Sequence, residues 1–171
     1  WDGPNEELPS GTTPGERYLL GKLVPRRADW EEPSSDVDQA PEDELFPLCQ
    51  ELGVAIIARV PFDEGSLTGT MTVSDTWPKG DWRNLYFTPE NLRETLARVE
   101  RVNADLPAGM SLPELALRFT LHHPAVTTVI PGMRTLRHVE RNLAVADGNP
   151  FPASLLAAMR RHRWDRDTVI P

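Results

Sequence analysis

The stretch Val126-Thr-Thr-Val-Ile130-Pro131-Gly132-Met133-Arg134, running directly into Thr135-Leu-Arg-His-Val-Glu-Arg-Asn142, decides the fold. Its first five residues are dominated by β-branched side chains and read as a strand, which Pro131-Gly132 ends. Thr135 is a helix-capping residue type, and Val139, Asn142, Leu143 and Val145 carry the helix on towards Gly148. A strand end, a helix N-terminus and Arg134 thus meet in one turn. Backbone N–H groups and a guanidinium in that arrangement suit an anion, and phosphate in particular.

Working outward, Val54-Ala-Ile-Ile-Ala-Arg-Val60 is a second short run, apolar on both faces, and reads as a buried parallel strand. A helix is expected before it. Pro41 suits a first turn, Glu42, Asp43 and Glu44 suit the positive end, and Gly53 stops it, although Pro47 requires the helix to bend or start late. Thr88-Pro89 opens a helix with Leu92, Leu96, Val99 and Val102 on one face. Ser111-Leu-Pro113-Glu114 is a capping box leading into Leu115, Ala116, Leu117, Phe119 and Leu121. Residues 152 to 161 make a last amphipathic helix, with Trp164 expected to pack on the body.

Alternating helices and strands predict parallel strands joined by right-handed crossovers. Two such strands cannot form a stable sheet alone and need neighbours along their edges. Between Pro61 and Thr88 a long connection holds Gly65, Gly69, Gly80, Trp77, Trp82, Tyr86 and Phe87. It reads equally as a functional flap or as a loop packed on its own aromatics.

At 171 residues the chain holds one ordinary domain but falls short of the ~250 residues typical of a closed (β/α)8 barrel. The net charge of −8 lies in the first 44 residues, which carry twelve acidic against four basic side chains, while the remainder balances at fourteen each. An acidic leader before a neutral body argues against binding nucleic acid through its phosphates. Apolar runs are too short to span a bilayer. A single cysteine, Cys49, excludes an internal disulfide and is expected in the core beside Leu45, Leu48 and Leu52. A cytoplasmic location is the default expectation. His122-His123 end a helix, where imidazolium suits the dipole, and adjacent helical positions point too far apart to share a metal. No metal site is expected.

Three motifs in order, Ala58-Arg-Val60-Pro61-Phe62-Asp-Glu-Gly65-Ser-Leu67-Thr-Gly69, Glu114-Leu-Ala-Leu-Arg-Phe119, and Ile130-Pro131-Gly132-Met133-Arg134 with Asn142, resemble the C-terminal half of the aldo-keto reductases. These are (β/α)8 barrels that reduce carbonyls with NADPH. The resemblance covers roughly residues 37 to 166. It implies an α/β fold, a partial (β/α)8 TIM barrel with about two parallel strands and five to six helices over residues 37–171, behind an irregular Pro/Gly-rich leader of residues 1–36.

The resemblance also implies NADP(H) as cofactor. Val60, Pro61, Phe62, Gly65 and Leu67 would form a strap over the pyrophosphate, Val60, Phe62 and Leu67 through backbone N–H groups. Ile130, Gly132, Met133 and Arg134 would hold the 2′-phosphate, with His138, Arg141 and Asn142 near the adenine. Arg141 stands where the family often has an acidic residue. The family's catalytic Asp, Tyr, Lys and His belong to strands that are not in this chain, so no catalytic residue is assigned, and a chain opening at Trp1 is expected to be a fragment, inactive by itself. The complete enzyme would act on a small-molecule carbonyl. The exposed strands would be covered by self-association or by the N-terminal half. The alternatives are a non-catalytic half-barrel that binds nucleotides or partners, and a truncated gene product.

Overall fold

The computed structural model describes residues 18–20 and 39–164. Most of the leader lies outside these residues. Strand β2, Ala55–Arg59, pairs in parallel with β3, Val126–Ile130, and a short β1, Tyr18–Leu20, lies along the other edge of β2. The two expected strands are therefore neighbours, and three residues of the leader add a third. In a leader dense with Pro and Gly, the run from Tyr18 to Val24 is the one stretch that reads as a short ordered piece, and its first three residues form this edge.

Six α-helices surround the sheet among the described residues: α1 Leu45–Glu51, α2 Arg83–Tyr86, α3 Pro89–Ala104, α4 Leu112–His122, α5 Leu136–Ala144 and α6 Ala153–Arg161. Helix α1 begins at Leu45 and not at Pro41, which instead lies in a single 3-10 turn, Ala40–Glu42. That late start puts Pro47 in the first turn, where its missing N–H costs no intrahelical bond. Thr88 and Ser111 cap α3 and α4 through their side-chain oxygens, with Pro89 and Pro113 in the opening turns.

The cores show which faces matter. Leu45, Cys49, Ile56 and Ala125 join α1 to the sheet, with Phe46, Val54 and Val126 against them. A larger cluster of Leu67, Val102, Leu112, Leu115, Ala116, Leu155, Ala158 and Met159 binds α3, α4 and α6 to the segment after β2. Trp164 lies beneath the Arg98 guanidinium, 4.1 Å from its carbon, so the end of the described chain folds back on α3.

The sheet departs from ideal pairing between Ile56 and Ile57, where β3 carries an extra residue, Thr127. The Thr127 hydroxyl accepts from the Ile56 N–H at 3.2 Å, replacing the lost ladder bond. Thr127, Thr128 and Ile130 remain exposed, as does every residue of the outer face of α5, including Leu136 and Leu143. The expectation of strands buried on both faces holds for Ile56 but not for β3.

Candidate functional site

Because β2 and β3 are adjacent and parallel, with Arg59 opposite Ile130, the segments beginning at Val60 and Pro131 leave the same end of the sheet. In open parallel α/β sheets that end is where ligands bind. Neighbouring strands lie only ~5 Å apart, so both turns can reach one ligand.

The first turn, the strap, is built from unusual backbone. Val60, Asp63 and Glu64 have φ of 56°, 46° and 55°, and Gly65 and Gly69 have 106° and 73°. A β-branched residue in the left-handed region is strained, and such conformations cost roughly 1–3 kcal/mol each. The surroundings hold them. The Asp63 N–H donates to the Val60 carbonyl (3.0 Å), and the Gly65 and Leu67 N–H groups both donate to the Phe62 carbonyl (2.9 and 3.1 Å). The Thr68 hydroxyl donates to the Gly65 carbonyl at 2.6 Å.

These bonds refine the residue assignments. Leu67 is buried in the larger core and its N–H is spent inside the turn, so it anchors the strap and offers no donor to a ligand. Pro61 is fully buried at the base, and Phe62 packs against the same core as Leu67. Gly65 is required by its φ of 106°. A side chain there would meet the Met71 methyl only at ordinary contact distance, 3.7 Å.

The centre of the strap is a buried carboxylate. Asp63 is wholly inaccessible and accepts from the Ser66 hydroxyl at 2.6 Å and the Tyr86 hydroxyl at 3.2 Å. Tyr86 is also buried. The Asn91 side chain donates to the Tyr86 carbonyl at 2.6 Å and accepts from the buried Thr95 hydroxyl at 3.1 Å. Asp63, Ser66 and Tyr86 form a feature that sequence reasoning missed. An Asp followed three residues later by Ser, beside Gly65, was the available signal for a side-chain-stabilised turn.

The flap is packed chiefly on itself. Trp77 stacks on Phe87 with centroids 5.4 Å apart, Tyr86 meets Phe87 edge-on at 4.7 Å, and Trp82 meets Tyr86 at 5.7 Å. Arg83 lies over Trp77 and forms a two-pronged bond to Asp81, holding that carboxyl down to about 2. Val73, Trp82 and Leu85 nevertheless remain exposed.

In the second turn, Gly132, Met133, Arg134 and Arg141 are exposed, as is Ile130, and His138 and Asn142 are half-buried. The Asn142 side chain donates to the Gly132 carbonyl at 3.4 Å, which ties α5 back onto the turn. Thr135 caps α5 by accepting from the His138 N–H at 3.2 Å. The positive end of α5, Arg134 and a glycine with nothing within 4 Å of where a Cβ would stand therefore make an exposed, electropositive turn, with Arg141 in the last turn of the same helix. This donor set fits the phosphates of a dinucleotide.

His122 and His123 are structural, but not as paired imidazolium groups. The His122 ring bonds the Phe119 carbonyl, and His123 Nδ1 accepts from the Ala125 N–H at 3.2 Å, a bond that only the neutral tautomer makes. Burial of the His123 ring lowers its pKa, in the same direction.

A sequence model of the Aldo/keto reductase family matches residues 31–163. The chain is 30% identical over 117 residues to the NADH-specific methylglyoxal reductase of Escherichia coli strain K12, covering 67% of this chain and 36% of that protein. It is 31% identical over 139 residues to human aflatoxin B1 aldehyde reductase member 4, covering 70% and 42%. The aldo-keto reductase AKR11C1 from Bacillus halodurans in its holo form superposes with a TM-score of 0.54 at 25% identity, over 79% of this chain and 41% of that one. The chain thus spans about two fifths of the length of these relatives. With two parallel strands presenting the strap and the Gly132–Arg134 turn at one end of the sheet, these matches place the chain in the aldo/keto reductase family.

Proposed function

We propose that the chain is the cofactor-holding part of an NADP(H)-dependent aldo-keto reductase. The strap from Val60 to Gly65 covers the pyrophosphate, and Gly132, Met133 and Arg134 receive the adenosine 2′-phosphate. Ile130 and Pro61 position the two turns, Asn142 steadies the second, and His138 and Arg141 flank the adenosine. When bound, the dinucleotide supplies the hydride that reduces an aldehyde or ketone in the complete enzyme. This chain's own residues bind and orient the cofactor, and no catalytic role is assigned to any of them. Tyr86, sequestered beneath the strap on Asp63, is not placed to protonate an alkoxide.

The single observation carrying this reading is the emergence of both turns from the same end of adjacent parallel strands. The Escherichia coli relative is NADH-specific by name, whereas Arg134 beside an open Gly132 favours the extra phosphate of NADP(H). Fluorescence titration of the chain with NADPH and NADH tests the assignment. NADPH is expected to bind about tenfold or more tightly than NADH, and Arg134→Ala to erase the difference, a loss of about 1.5–3 kcal/mol for a charge-assisted bond. Equal affinities, unchanged by Arg134→Ala, would contradict it.

A further inference from the structure

The strap and the aromatic flap meet at one buried carboxylate. Resting on the dinucleotide reading above, we infer that Asp63 is the positioning residue that holds the strap in its pyrophosphate-accepting conformation and couples it, through Tyr86, to the flap.

Asp63 does not act by touching the ligand. It has no accessible surface, and it faces a cavity of about 150 Å³ shared with Leu67, Thr95, Val102 and His162, on the helix side of the strap. Its two carboxylate oxygens are divided between the halves of the arrangement. One accepts from Ser66, three residues before the strap closes at Gly69, and the other from Tyr86, at the end of the flap. The Ser66 bond closes the turn that contains Asp63, Glu64 and Gly65, all with positive φ. The Tyr86 bond fixes that turn to a ring clamped between Trp82 and Phe87 and anchored by Asn91 to the start of α3. Left-handed backbone at Glu64 survives only where its neighbours over-determine it, and the bonds at Asp63 contribute that constraint. A pyrophosphate seat formed by strap N–H groups is therefore set by a hydroxyl twenty-three positions away in sequence.

The test exploits the two ends of the ligand. NADPH carries the pyrophosphate, whereas adenosine 2′-phosphate carries only the 2′-phosphate and adenosine that belong to the Arg134 turn. In the 171-residue chain, Tyr86→Phe keeps the ring and removes only the hydroxyl, and it is expected to weaken NADPH binding about threefold, the effect of one neutral hydrogen bond. Asp63→Ala is expected to weaken it about tenfold, and the double variant no further than Asp63→Ala alone, because both changes break the same link. Adenosine 2′-phosphate should bind all four proteins within about twofold. Wild-type NADPH affinity in Tyr86→Phe, or parallel losses of both ligands, would overturn the coupling while leaving the cofactor assignment in place. Wild-type protein that binds neither ligand would overturn both. Should Asp63→Ala fail to fold, Tyr86→Phe alone decides.

Discussion

At the scale of single residues, local chemistry separates side chains that look alike in sequence. His122 and His123 share a helix end, yet the His123 ring must be neutral to accept from the Ala125 N–H. Burial lowers its pKa from the ordinary 6.5, with weaker opposing and reinforcing effects from Glu42, His122 and Arg160. The unfolded chain therefore binds a proton that the folded one resists. The contribution is present in full above pH 6.5 and is lost as pH falls below it. Thermal unfolding should show wild-type protein losing more stability between pH 7.5 and 5.5 than His123→Asn, whose amide oxygen accepts the same bond without titrating. Equal pH dependence would remove His123 from that role.

Cys49 gives a second residue-scale expectation. It is 3% exposed, and burial raises its thiol pKa, so little reactive thiolate forms. A disulfide reagent should label it slowly in buffer and rapidly in denaturant, with the difference tracking unfolding. The surface pair of Arg118 with Asp147, bidentate at 2.7 and 3.0 Å, holds the Asp147 carboxyl well below the usual carboxylate range. That contribution persists through neutral pH and fades only as acid titrates Asp147 below its unfolded value of 3.8.

At the scale of elements, the pieces legible in sequence were those written by strong local rules. Caps at Thr88, Ser111 and Thr135, and β-branched runs ending in Pro, place α3, α4, α5, β2 and β3 within a residue or two. Features that depend on distant partners were not legible. The three-residue β1 exists because β2 offers an edge, and the Asp63–Tyr86 link joins segments with no shared periodicity. Left-handed φ at Val60 could not be foreseen, since a β-branched residue argues locally against it.

The hydrophobic face of α4 joins β3 to the strap, and Leu117 at its centre is 1% exposed. Leu117→Ala should destabilise the chain by about 3 kcal/mol, whereas Thr135→Ala, which removes the cap of α5, should cost about 1 kcal/mol. Denaturant titration checks both. A smaller loss at Leu117 than at Thr135 would mean that α4 is not the central support.

At the scale of the whole molecule, the sheet is open. Beyond β3 no further strand pairs among the described residues, and Ile130, Leu136 and Leu143 are exposed along that side. No helix among the described residues is long and apolar enough to cross a membrane. The chain spans about two fifths of the length of the relatives it matches. Both turns of the proposed cofactor site leave the paired strands β2 and β3.

Two turns, separated by about seventy residues in sequence, are proposed to hold one dinucleotide. Amide hydrogen exchange of the chain with and without NADPH tests it most directly. The account predicts that slowed exchange appears together at 60–66 and at 132–138, with both responses saturating at the same NADPH concentration. Protection at only one turn, or at neither while NADPH binds elsewhere, would contradict it.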